Sequence, residues 1–254
     1  MNEALFNYAL RMGDNAVVLS QRLSEWTGHG PALEEELATA NTALDLIGQA
    51  RMWFSFAGEL EGKGRDEDAL AFLRDTHDYY NCLLVEQPNG DYAYTMARQF
   101  FFDSWHYFLL RQLCESDNAQ VKEIAEKSIK EVSYHVRRSM DLIIRLGDGT
   151  DESHQRMQSA INDAWRFVGE FFLDDAVTTA LHEQGVVPLH ASLWDEWHDY
   201  MSGVLSEATL TVPAKEDAFH MAYRGGVHGK HTEALGYMLA EMQFLQRAYP
   251  GASW

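Results

Sequence analysis

Asp103 and His106 are the residues of this sequence whose types and spacing best suit metal chemistry. They lie three positions apart, which places a carboxylate and an imidazole on the same face of a helix. Both lie within the apolar stretch Phe100 to Leu110, so the helix that carries them is expected to be buried. The pattern is typical either of a core ion pair or of two metal ligands, and we favour the ion pair because one such pair cannot hold two ions.

Helical bundles that bind two iron ions use two lone Glu residues and two Glu-x-x-His pairs. Mixed oxygen and nitrogen donors of this kind suit iron. No Glu-x-x-His pair occurs in this sequence. Three further Asp-x-x-His pairs lie in polar segments and are expected on solvated helix faces: Asp151/His154, Asp195/His198 and Asp217/His220. The residues alone therefore do not predict a complete di-iron site.

His228 and His231 form a His-x-x-His pair close to Glu233. Such a pair on one helix face can bind zinc or copper. The sequence offers no further ligand nearby, and glycines flank the pair. We therefore interpret it as a region of contact between protein chains or of ordinary helix packing.

Long helices with few breaks must position these residues. The five prolines all lie beside polar or glycine-containing segments where helices can begin or end. Apolar periodicity predicts helices over residues 14–27, 32–62, 66–80, 91–116, 118–147, 152–173, 189–207 and 228–249. Since no segment alternates as a strand does, we predict an all-α fold of long antiparallel helices, in a single domain over residues 1–254.

Three of the predicted helices have informative features. Helix 32–62 carries apolar residues at alternating steps of four and three, which form one stripe: Leu33, Leu37, Ala40, Leu44 and Ile47. Segment 91–116 is apolar nearly all round, so we expect it to be central. In helix 118–147, Asn118 is expected as the N-cap and Gly147 as the residue that follows the helix.

Composition excludes several functional classes. The 39 acidic residues outnumber the 20 basic ones, and the net charge of -19 repels nucleic acids and anionic lipids. The most apolar stretch is far shorter than the ~20 residues of a membrane helix, and the first residues lack the basic start of a signal peptide. With only Cys82 and Cys114, the chain suits a reducing compartment. We expect a cytoplasmic protein with neither nucleic-acid nor membrane partners.

Four segments, 13–51, 83–99, 130–139 and 231–251, carry the sequences LSEWTG, VEQPNGDYAY, KEVSYHVRRS and HTEALGYMLAEMQFLQRAYPG in that order. Through them the whole chain resembles the C-subunit family of bacterial ring 1,2-phenylacetyl-CoA epoxidases. The resemblance implies a ferritin-like bundle and a structural subunit of phenylacetate catabolism. It also implies a catalytic A subunit that holds the di-iron centre of an O2- and NADPH-dependent monooxygenase, and a separate reductase.

The resemblance further implies a degenerate di-iron site. Its vestigial positions are Glu25, Asp45, Gly48, Asp103, Val132 and His135. Gly48 and Val132 stand where the catalytic relative has His and Glu, so two ligands are missing. We therefore expect no catalytic, cofactor-binding or metal-binding residue in this chain, with di-iron confined to the A subunit.

Buried carboxylates at these positions would need charge partners. We expect His106 and His135 to supply them, with Arg51 and Arg98 as weaker candidates. By periodicity alone Asp45 would be partly exposed, and only the resemblance directs it inward.

Two other functions stay open. One is an independent di-iron or single-metal oxidase that uses Glu25, Asp45, Asp103, His106 and His135. The other is a helical binding protein unrelated to oxygenases. For the structural subunit, helix faces near 32–61 and 91–116 are the expected contacts with A, and without A the chain is expected to be able to form a homodimer.

Overall fold

The structure is a computed structural model that describes residues 2–252. Within this range the chain forms α-helices and short 3-10 helices and no strand. In chain order the α-helices are α1 Glu3–Ser24, α2 Leu33–Glu61, α3 Glu67–Phe72, α4 Leu83–Glu86, α5 Tyr92–Leu113, α6 Ala119–Gly147, α7 Asp151–Trp165, α8 Ala176–His182, α9 Trp194–Glu207, α10 Lys215–Ala218, α11 Glu233–Met242 and α12 Phe244–Ala248. The predicted all-α, ferritin-like fold is confirmed.

The chain divides into two compact units. The first consists of the residues up to Pro88 together with those from Gly225 onward, and the second consists of Asn89–Arg224. The organisation of residues 1–254 as a single domain stays a prediction. No helix within 2–252 combines the length and the apolar character needed to cross a membrane.

In the first unit, α1 packs along α2. Gly13 of α1 permits close contact, since a Cβ atom there would lie 2.5 Å from the Phe54 ring of α2. Helix α2 ends at Gly62, whose left-handed backbone (φ 68°) glycine adopts without strain. The predicted extent of α2 is therefore confirmed. The face of α2 that is buried includes Thr42, Leu46, Gln49, Trp53 and Phe54.

The apolar stripe of α2 does not lie on this buried face. Leu33, Leu37, Leu44 and Ile47 are 68, 57, 64 and 42% exposed. Helix α2 thus has apolar residues on both a buried and an exposed face, so periodicity predicted the helix correctly but could not distinguish the two faces.

In the second unit, α5 packs against α6, α7 and α9 and is buried nearly all round, as predicted. Aromatic side chains fill the contacts, with the Phe101 and Trp165 rings 5.6 Å apart and the Trp165 and Trp197 rings 5.9 Å apart. Because so little of α5 is exposed, the structure gives little support to the expected partner contact near 91–116. The face near 32–61, in contrast, offers a large exposed apolar stripe.

The ends of α6 were predicted with one error. The side chain of Asn118 accepts hydrogen bonds from the backbone N–H groups of Gln120 and Val121, which confirms it as the N-cap. Gly147, however, is the last helical residue and Asp148 is the C-cap. The reason for glycine here is tertiary, since a Cβ atom would lie 2.5 Å from the carbonyl oxygen of Ala208.

Other boundaries differ from prediction. Helix α1 begins at Glu3 rather than at residue 14. Segment 66–80 forms only α3 and a 3-10 turn at Thr76–Asp78, and Arg74 between them forms a buried ion pair with Asp14. Segment 152–173 is α7 followed by a 3-10 helix at Val168–Phe172.

Candidate functional site

A buried polar cluster lies on α5 and α6 in the second unit. The Gln99 Nε2 atom donates a hydrogen bond to Asp103 Oδ1 at 2.6 Å, one helical turn away. Burial raises the pKa of Asp103 to about 6, although the nearby imidazole of His135 and the hydrogen bond from Gln99 oppose the rise. A carboxyl with this pKa can exchange a proton near neutral pH. The cluster therefore holds a carboxyl group whose charge its surroundings only partly compensate.

His106 is buried beside this cluster but does not act as its cation. The imidazole ring lies 5.2 Å from the Phe102 ring and 6.2 Å from the Trp105 ring, measured between centroids. Burial, with a further contribution from His135, lowers the pKa of His106 to about 3. The side chain is neutral at neutral pH, so the expected ion pair through His106 does not form.

His135 lies on α6, where it is buried, and its electrostatic effect lowers the pKa of Asp103. Val132, one turn earlier, is also buried and contributes only methyl groups. The structure thus brings Asp103, His106 and His135 into one region. Of the predicted charge partners, His135 is the one close enough to act on Asp103.

The remaining vestigial positions lie in the first unit, and they are not buried. Glu25 follows the end of α1, where its Oε1 atom accepts from Arg22 Nη1 at 2.7 Å and its side chain is 42% exposed. Asp45 is half-buried and Gly48 is exposed. Periodicity alone therefore placed Asp45 more accurately than the resemblance did. Of the three carboxylates expected to face inward, Asp103 is the buried one.

The two arginines considered as weaker partners have other roles. Arg51 is exposed and pairs with Glu67, with Nε and Oε1 2.9 Å apart. Arg98 is buried and its Nη2 atom donates to Asn89 Oδ1 at 2.7 Å. Neither of these contacts involves a carboxylate of the vestigial set.

A di-iron centre does not fit the residues present. Gly48 has no side chain and Val132 has no donor atom, and these are the two positions where the resemblance implies ligands in the catalytic relative. Glu25 is engaged by Arg22 at the protein surface. Among residues 2–252, no group of three or more His, Cys, Asp or Glu side chains is arranged to hold a metal ion.

A second buried cluster surrounds Glu86 in the first unit, and no local sequence pattern predicted it. His231 Nδ1 lies 2.7 Å from Glu86 Oε2, and His231 Nε2 lies 2.8 Å from the carbonyl oxygen of Tyr79. Thr232 donates to Glu86 Oε1 from both its backbone N–H, at 2.7 Å, and its hydroxyl, at 2.8 Å. Asn81 Nδ2 donates to Glu86 Oε2 at 2.9 Å. These contacts attach the segment after Gly225 to α4.

Both ring nitrogens of His231 face oxygen acceptors, so the ring satisfies both only as a cation that donates twice. Accordingly, the contacts with Glu86 and Tyr79 outweigh burial and raise the pKa of His231. Neither nitrogen is available to a metal. His231 is therefore part of intramolecular packing, whereas His228 is exposed.

Together these features define a class: an all-α helical-bundle protein with a carboxyl and two imidazoles buried on neighbouring long helices. A family model described as phenylacetic acid catabolic protein matches residues 1–254, and the chain belongs to this family. The chain is also 52% identical over 255 residues to the C subunit of the 1,2-phenylacetyl-CoA epoxidase of Escherichia coli (strain K12), with 100% of each chain covered. The family inferred from the sequence is confirmed.

Proposed function

We propose that this chain is the structural C-type subunit of a phenylacetyl-CoA epoxidase, in which it binds and stabilises the catalytic A subunit. The observation that carries the proposal is the end-to-end similarity, at 52% identity, to the C subunit of such an epoxidase. The complex as a whole would be an O2- and NADPH-dependent monooxygenase of phenylacetate catabolism. Its di-iron centre would lie in the A subunit and its electrons would come from the reductase.

The buried cluster supports a non-catalytic role for this chain. Dioxygen activation at two iron ions requires a paired set of carboxylate and imidazole ligands. Here Gly48 and Val132 provide no donor atoms, and His106 is surrounded by aromatic rings. What remains of the site is suited to supporting α5 and α6.

The predicted location and self-association belong to the same proposal. A cytoplasmic location rests on the composition of the sequence and on the two free cysteines, Cys82 and Cys114. A homodimer in the absence of A remains an expectation from the exposed apolar stripe of α2, and the net charge of -19 opposes it until salt screens that charge.

Co-expression with the A subunit of the same genome tests the proposal. A tag on this chain is expected to retain A, and the iron of the purified pair is expected to follow A when the two chains are separated. Stoichiometric iron with O2 consumption by this chain alone would favour the independent oxidase. Failure to retain A, under conditions where both chains are folded, would favour a binding protein with another partner.

A further inference from the structure

The exposed stripe of α2 has the spacing of a helix-pairing seam. Leu33, Leu37, Ala40, Leu44 and Ile47 follow one another at steps of four, three, four and three. This alternation is the seam of a coiled coil, in which one helix packs along another at a shallow angle. At ~1.5 Å per residue the seam is about 21 Å long. Leucines this exposed in a row are uncommon on surfaces that stay in water.

The seam continues into a groove between α1, α2 and α3. The groove has a volume of about 410 Å³, and Ile47 belongs to both features. Apolar side chains form much of its lining: Val17, Ile47, Ala50, Phe54, Ala71 and Phe72. A segment that packs along the seam could therefore insert a large apolar side chain into the groove, as anchor residues do in interfaces.

Gly48 provides an independent observation. It lies inside α2, next to Ile47, where glycine costs about 0.5–1 kcal/mol relative to alanine. Its backbone is not left-handed, and a Cβ atom added there would meet nothing within 4 Å. Packing within this chain therefore does not require glycine. A second helix lying along the seam would require a small residue at this position, because small residues allow two backbones to approach closely.

The charges beside the seam indicate which helix would fit. Glu34, Glu35 and Glu36 lie at its start. Glu67 and Asp68 line the groove at the other end of the seam. Arg51, the one basic residue in the lining of the groove, already pairs with Glu67. A second copy of the chain would bring the same acidic residues and a net charge of -19, so electrostatic repulsion opposes self-pairing.

We propose that the seam and groove of α2 bind one amphipathic helix of a partner protein, whose apolar stripe is flanked by Lys or Arg residues. This inference rests on the proposed function only in taking the A subunit as the partner that carries the helix. It identifies the surface used, the form of the segment bound and the sign of its charge.

The test compares two double variants with the wild type in binding to the A subunit. Leu44→Glu/Ile47→Glu places two charges on the seam, whereas Tyr237→Glu/Leu245→Glu places the same charges on exposed apolar positions of α11 and α12. We expect the dissociation constant to rise at least ~100-fold for the seam variant and by less than ~3-fold for the control. All four positions are exposed, so melting temperatures should stay close to wild type and show that both variants fold.

The outcomes separate this inference from the proposed function. If the wild-type chain does not bind A, the proposed function fails and the inference fails with it. If the wild type and the seam variant bind A equally well, the proposed function stands and the inference is wrong. If the isolated wild type dimerises at low ionic strength and only the seam variant is monomeric there, the occupant is a second copy, which contradicts the proposal.

A charge-reversal variant tests the flanking residues. Glu34→Lys/Glu35→Lys/Glu36→Lys is expected to weaken binding to A at least ~10-fold at low salt, with the difference shrinking as salt screens it. Tighter binding by this variant would show that the partner helix is acidic and would overturn the proposed charge pattern. Unchanged binding would overturn it as well.

Discussion

Asp103 and His231 are both buried, but their neighbours act on their charges in opposite directions. Around Asp103, burial outweighs the favourable effects of His135 and Gln99, so the pKa rises to about 6 and the carboxylate form is disfavoured. Around His231, Glu86 and the Tyr79 carbonyl outweigh burial, so the pKa rises and the charged form is favoured. The two residues should therefore make different contributions to stability as pH changes.

Replacing Asp103 by Asn should stabilise the protein, and increasingly so at higher pH. An acid whose pKa rises on folding, here from 3.8 to about 6, stabilises the fold below the lower value and loses that contribution as pH rises through the higher one. The free-energy gain of Asp103→Asn over wild type should grow by about 1 kcal/mol between pH 5 and 8. Urea unfolding at both pH values measures it. The exposed Asp141→Asn is the control, and its effect on the free energy of unfolding should be the same at both pH values. If the effect of Asp103→Asn is also the same at both pH values, the prediction is wrong.

Replacing His231 by Gln should destabilise the protein most at low pH. Because folding raises the His231 pKa above 6.5, its stabilising contribution is complete below that value and is lost as pH rises through the folded-state pKa. The variant leaves buried Glu86 without its cation, so a loss of about 1–3 kcal/mol is expected at pH 6. A smaller loss is expected at pH 9. Urea unfolding of His231→Gln at pH 6 and pH 9 measures the two losses, with the exposed His29→Gln as the control. Equal losses at the two pH values would argue against the charged pair.

Asp103 and His231 also differ in how well their surroundings could be predicted from sequence. Asp103 and His106 share a helix face because of their local spacing, so a buried polar group on α5 was predictable. Glu86 and Tyr79 lie 145 and 152 positions from His231. No local pattern encodes contacts of that separation. Sequence therefore indicated packing or a contact between chains around His231, but it could not predict the buried ion pair with Glu86.

At the scale of elements, local signals predicted helices well and their ends less well. Asn118 caps α6 through its own side chain, and that interaction depends only on neighbours in sequence. Gly147 depends instead on the backbone of Ala208, some 60 residues later, and was misread as the residue after the helix. The stripe of α2 was recognised, but which apolar face is covered depends on tertiary packing with α1.

Two helical glycines should respond to alanine with opposite signs. Gly48→Ala meets open space and should stabilise the isolated chain by about 0.5–1 kcal/mol. Gly147→Ala would place Cβ 2.5 Å from the Ala208 carbonyl oxygen and should cost about 1–3 kcal/mol. Thermal unfolding of both variants in one buffer measures the difference. A stabilised Gly147→Ala would show that the end of α6 relaxes freely, and a destabilised Gly48→Ala would mean that α2 is packed there within the chain.

At the scale of the whole molecule, strong negative charge and an exposed apolar seam act against each other. The net charge of -19 opposes association between copies of the chain in water. The exposed leucines of α2 favour association with any apolar surface that can approach. Charge thus provides selectivity, because it opposes self-association while allowing a basic partner helix to bind.

Salt should shift this balance in the isolated chain. At low ionic strength the Debye length is long, near 30 Å at 0.01 M, and repulsion between acidic copies should keep the chain monomeric. In about 1 M sodium sulfate, charges are screened and apolar association is strengthened, so the weight-average mass should increase. Sedimentation equilibrium across this range measures the change. Leu44→Glu/Ile47→Glu should remain monomeric throughout, whereas the control with Glu at Tyr237 and Leu245 should associate as the wild type does. Association that the seam variant does not reduce would show that another surface is responsible. Association at low salt that the seam variant abolishes would show that repulsion does not prevent copies from pairing through the seam.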